Sequence, residues 1–148
     1  MEQATPTVRN LVRLLLAHEA GANRSEPAGG EVNAALSVLV KLRAHLSTLV
    51  GIAGFDALLT RALALARTEA SWLRAVRVQA GATLEGFSET AQKQPAEAVA
   101  EGSAALLAQL LGLLVTFIGE ALTLHLVKDI WPEARLDAAK DGHGGDPT

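Results

Sequence analysis

Glu120 is the most unusual ionisable residue of the chain. It interrupts an apolar run, and helical spacing aligns it with Leu106, Leu110, Leu113, Phe117, Leu124 and Val127. A carboxylate on such a face must find a cation or take up a proton. Arg61, Arg67 and His45 are the candidate partners of this buried charge. No second carboxylate stands beside Glu120 at helical spacing, so a carboxylate pair for general acid–base work is missing.

The remaining chemistry is sparse. The histidines at 18, 45, 125 and 143 form no HxxxH or ExxH pattern, and Glu120 and His125 are five residues apart, on different helical faces. The repeated Glu-x-x-His of di-iron bundles is absent. With no cysteine there is no disulfide, no thiol nucleophile and no Cys-ligated zinc or iron–sulfur site. Neither metal nor cofactor is expected. None of the serines sits in a G-x-S-x-G elbow, and neither Gly-rich phosphate motif occurs. No catalytic residue is expected, and the chain reads as non-enzymatic. Arg61, Arg67, Arg74 and Arg77 lie near Trp72 and suit a solvated face bound to the chain's own acidic half. The net charge of −3 disfavours nucleic acid as a partner.

These residues must be carried by helices. The 148 residues amount to about one domain, and hydrophobic residues make up 49% of them. By count, 28 Ala and 25 Leu account for over a third of the chain, and both favour helix. Aromatic residues reach only 3%, which argues against a β-sandwich or barrel. The charge is uneven: residues 1–80 hold nine Lys/Arg and six Asp/Glu, whereas residues 81–148 hold four and ten. The two halves can complement each other within one molecule or form a two-faced assembly surface. No basic start followed by an apolar run marks a signal peptide, and a cytoplasmic location is expected.

The expected fold is all-α, about four helices in a bundle, over a single domain of residues 1–136 with a disordered polar tail at 137–148. Thr5-Pro6 opens a first helix that Gly21 stops. Residues 21–30 read as an exposed loop. A second helix runs from about Glu31 to Val50 with a seam of Val32, Ala35, Leu39, Leu42, Leu46 and Leu49. Gly51 and Gly54 bracket a tight turn into a third helix, from Phe55 to about Glu69. Residues 71–95 read either as an irregular segment or as a small β-hairpin over Val76–Glu85, pinned by Trp72 and Phe87. The last helix begins near Pro95 and reaches Asp129, about 50 Å of continuous helix.

That last helix carries two patterns. Eighteen uncharged residues separate Glu101 from Glu120, which places the helix at the centre of a bundle or in a membrane, over about 102–126. Along it, Ala98, Gly102, Ala105, Gln109, Gly112, Thr116, Gly119 and Thr123 form one line of small or modestly polar residues. A helical glycine costs up to about 1 kcal/mol relative to alanine, so three on one line imply close approach of another helix. The segment from Ala105 to Thr123 is therefore the candidate helix-packing or dimer seam. Three functions follow as expectations. The first is a non-enzymatic interaction or adaptor module that binds itself as a homodimer, or another protein. The second is a membrane-associating protein whose last helix inserts. The third is a small-molecule sensor with an apolar bundle pocket.

Overall fold

A computed structural model describes residues 6–22, 30–79 and 83–132. The order of elements is α1 (Pro6–Ala22), α2 (Gly30–Ala66), a 3₁₀ turn (Ser71–Ala75), β1 (Arg77–Gln79), β2 (Thr83–Glu85), α3 (Phe87–Ala91), α4 (Ala96–Ile118) and α5 (Glu120–Ile130). The protein is a mostly α-helical bundle with one small two-stranded antiparallel sheet. The expected loop over 21–30 and the polar tail lie largely or wholly outside the described residues.

The core follows from the apolar faces. On α1, Val8, Leu11, Val12 and Leu15 are buried. Helix α2 is two limbs joined at Gly51, whose φ of 81° and ψ of 162° no helical residue adopts. The limb over 30–50 buries Ala35, Val38, Leu39, Leu42 and Leu46. The limb over 52–66 buries Phe55, Leu59, Ala62, Leu63 and Ala66. Two sequence expectations change here. Gly54 is helical, so the turn is one residue rather than GIAG. Leu49, expected at the end of the seam, is 60% exposed because the seam ends where the helix breaks.

Helix α4 is the central element: it packs against α1, α2 and α5, and every residue from 105 to 114 is buried. A helix apolar all round needs neighbours all round. The hairpin forms in the register Arg77 opposite Glu85, Val78 opposite Leu84 and Gln79 opposite Thr83. Arg67 holds the strand entry, donating from Nη2 to the Val76 carbonyl at 2.7 Å.

The last helix is not continuous. It breaks at Gly119, with φ 96° and ψ 154°. The Gly119 N–H closes α4 on the Val115 carbonyl at 2.8 Å. The Gly119 carbonyl receives both the N–H and the hydroxyl of Thr123, at 3.1 and 2.8 Å, opening α5. Glycine permits the positive φ, and the threonine holds the new helix start.

Candidate functional site

The small-residue line divides among three tasks. Gly102 is buried beneath Trp72, where a Cβ would stand 2.7 Å from the indole Cε2. The indole N–H donates to the Ala98 carbonyl at 3.1 Å, and Phe87 meets the indole with ring centroids 5.7 Å apart. Close approach at this glycine therefore comes from a side chain of the same molecule. Ala105, Gln109 and Gly112 are buried inside α4. Thr116 is exposed, with its hydroxyl on the Gly112 carbonyl at 3.2 Å. Gly119 is the joint itself, with nothing within 4 Å of where a Cβ would stand, and Thr123 is buried beyond it.

Glu120 is exposed on the first turn of α5, not buried. The line it is expected to extend is already exposed at Phe117, and the joint at Gly119 starts a new helix there. Its candidate partners are elsewhere. Arg61 and His45 are exposed, the His45 Nδ1 lies 3.2 Å from the Lys41 carbonyl, and Arg67 binds the Leu73 and Val76 carbonyls. Among the described residues no ion pair joins any of them to Glu120.

The charges that organise the structure are Glu19 and Glu69. Glu19 is 3% exposed, and one carboxylate oxygen accepts from Lys41 Nζ at 2.5 Å and from Trp131 Nε1 at 2.8 Å. Burial pushes its carboxyl up, but the bonds from Lys41 and Trp131 and the charges of Lys41 and His18 outweigh that and hold it below the usual carboxylate range. Its signal in the sequence is spacing: it extends the Val8, Val12, Leu15 face of α1 by one turn.

Glu69 lies in the turn after α2. Its Oε2 accepts from Arg9 Nη2 at 3.2 Å and from Gln109 Nε2 at 2.7 Å. Burial again raises this carboxyl, and Arg9 and Gln109 bring it below the ordinary value. Glu69 forms part of a cleft of about 440 Å³ between α1 and α4, lined also by Arg9, Arg13, Leu16, Glu101 and the alanines at 100, 104 and 105. Beside it, the buried Gln109 Oε1 has no hydrogen-bond partner among the described residues. Nothing in the sequence signals this meeting, since Glu69 is 60 residues from Arg9 and 40 from Gln109.

Exposed apolar side chains gather at each of the two glycine joints. Five large apolar side chains are well exposed among the described residues: Val40 at 56%, Leu49 at 60%, Ile52 at 47%, Phe117 at 66% and Leu122 at 50%. Leu49 and Ile52 flank Gly51, and Phe117 and Leu122 flank Gly119. Val40 instead borders a notch of about 170 Å³ between α2 and the hairpin. Two helical stretches, Ala34–Ala66 and Ala96–Ile118, are long and apolar enough to cross a membrane, and their most apolar windows are 28% and 72% buried. Among the described residues no three His, Asp or Glu side chains converge as metal ligands would. Set against known families, curated proteins and solved structures, the chain matches none.

Proposed function

We propose that the protein is a non-enzymatic helical interaction module that associates with a second copy of itself through the exposed apolar side chains at its two glycine joints. The observation that carries this reading is the placement of Leu49, Ile52, Phe117 and Leu122, four of the five exposed large apolar residues described. Exposed apolar groups gathered at particular places mark interaction sites, whereas scattered ones do not. The neighbouring chain is nearly free of charge: no Lys or Arg occurs over 44–60 or over 102–127. Such a surface offers nothing to a polyanion and suits an equally apolar one, as in a two-fold dimer where each patch meets its own copy. The small-residue line contributes through its exposed end, Thr116 and Gly119, since Gly102 is already covered by Trp72.

Light scattering across a concentration series tests this. The wild type is expected to reach twice the chain mass. Phe117→Ser combined with Leu122→Ser is expected to remain monomeric with an unchanged helical spectrum. A wild type that stays monomeric throughout, or a double variant that still dimerises, refutes the reading.

One observation favours a second reading, association with a membrane surface. The apolar window of Ala34–Ala66 is only 28% buried. With the helix broken at Gly51, its limbs suit lying in the interface more than spanning the bilayer, which needs about 20 unbroken residues. Flotation with neutral phosphatidylcholine vesicles separates the two readings: protein in the floating fraction supports this one, and protein left at the bottom excludes it.

A further inference from the structure

We infer that the cleft between α1 and α4 binds a small zwitterion, a molecule carrying a carboxylate and a primary ammonium on a short apolar frame. Its volume, about 440 Å³, lies within the range of small-molecule sites. The space exists because α4 contributes Ala100, Ala104 and Ala105, whose methyl groups leave room that longer side chains would fill.

The polar groups around it are incompletely used. Arg9 is engaged with Glu69, but Arg13 is exposed at the cleft and makes no ion pair among the described residues. Its planar fork is built to take a carboxylate through two parallel bonds. The other groups are acceptors. Glu101 makes no ion pair among the described residues. Both bonds to Glu69 fall on Oε2, and among the described residues Oε1 has no donor. Beneath this lining the buried Gln109 holds Glu69 through its Nε2 and is not itself a cleft residue. An ammonium brings three donors to these two carboxylates.

The charge balance selects the class of ligand. Arg9 and Arg13 offset Glu69 and Glu101, so the cleft is formally neutral. A simple anion satisfies Arg13 and leaves the acceptors unmet, while a simple cation does the reverse. A molecule with both charges answers both sides, and its apolar body meets Leu16 and the alanines. A free amino acid with an aliphatic side chain has this chemistry.

The test is a titration of the full chain with leucine, read by calorimetry and by amide chemical shifts. Two control titrations use 4-methylpentanoate, which lacks the ammonium, and 3-methylbutylamine, which lacks the carboxylate. Leucine is expected to bind saturably, and each control to bind at least about tenfold more weakly, the effect of losing one charge-assisted hydrogen bond. Arg13→Gln and Glu101→Gln, both at exposed residues, are each expected to weaken leucine by about tenfold without moving the melting temperature. Ala104→Phe, which fills the cleft, is expected to abolish binding. The inference is overturned if leucine shows no saturable binding, if either control binds as well as leucine, or if both glutamine variants bind like wild type.

Discussion

Two carboxylates organise this bundle, and they do so differently. Glu19 is sealed: Lys41 and Trp131 converge on it, and together they tie the end of α1 to α2 and to the residue that follows α5. Glu69 is open: Arg9 and Gln109 share one of its oxygens while it looks into a cleft beside an unpartnered amide oxygen. Both carboxyls are held below their ordinary range, so charge stabilisation is common to the two. What separates them is burial: the Glu19 side chain is 4% exposed and the Glu69 side chain 32%. A buried carboxylate with its donors in place is a fastener. One that leaves acceptors facing a cleft has capacity for something else.

Breaking the sealed cluster is expected to have the largest effect. Glu19→Ala leaves the Trp131 N–H without its acceptor, and Lys41 without its counter-charge. Since Lys41 is about half exposed and can hydrate, the loss is expected near 2–3 kcal/mol, at the lower end for a broken buried pair. Denaturant melts check this, and Glu19→Gln should lose about half as much because the amide still accepts from the indole. Acid titration adds a sign. A carboxyl whose folded pKa lies below its unfolded value takes up protons preferentially when unfolded, so its stabilisation is complete above the ordinary carboxylate range. That stabilisation drains away as pH falls through the folded value. Glu19→Gln is therefore expected to flatten the acid side of the stability curve, and an unflattened curve would contradict the fastener role.

The open cluster is expected to respond less. The Arg9–Glu69 pair is about one third exposed on both sides, and such pairs contribute about 1 kcal/mol or less. Glu69→Gln is expected to lower stability by about that much, and added salt should erase part of the difference. Gln109→Leu sharpens the contrast further. It removes an orphan acceptor along with a bond to Glu69, so thermal melts are expected to place it within about 1 kcal/mol of wild type. A loss as large as that of Glu19→Ala would show that both clusters are fasteners.

How far the sequence revealed this depends on the range over which each feature is set. Helical faces are local, so the core of α1, the bundle class and the centrality of α4 were legible from spacing alone. The hairpin was legible too, though only as one of two readings, because Ala80-Gly81 is a weak turn signal. Glycine proved ambiguous because one residue type answers several needs. Gly102 accommodates an indole, while Gly51 and Gly119 supply positive φ, and all three look alike in an apolar run. Mistaking Gly119 for a seam residue extended α4 through it and put Glu120 on a buried face. The Glu69 cluster joins three distant segments, and no periodicity encodes such a meeting.

The smallest effect is expected at Glu120, and its smallness is informative. On an unbroken helix this residue would extend the line of Leu113 and Phe117 by one turn, a line already leaving the core at Phe117, which is 66% exposed. With the joint at Gly119 it stands instead on the exposed first turn of α5, near the positive end of that helix's dipole. A carboxylate there contributes a few tenths of a kcal/mol at low ionic strength. Glu120→Gln is accordingly expected to lower stability by about 0.3–0.5 kcal/mol in dilute buffer. In about 1 M salt, where screening reaches roughly 3 Å, it should match wild type. A salt series of melts on the two proteins reads this directly. A loss of several kcal/mol that persists in high salt would mean that Glu120 is buried.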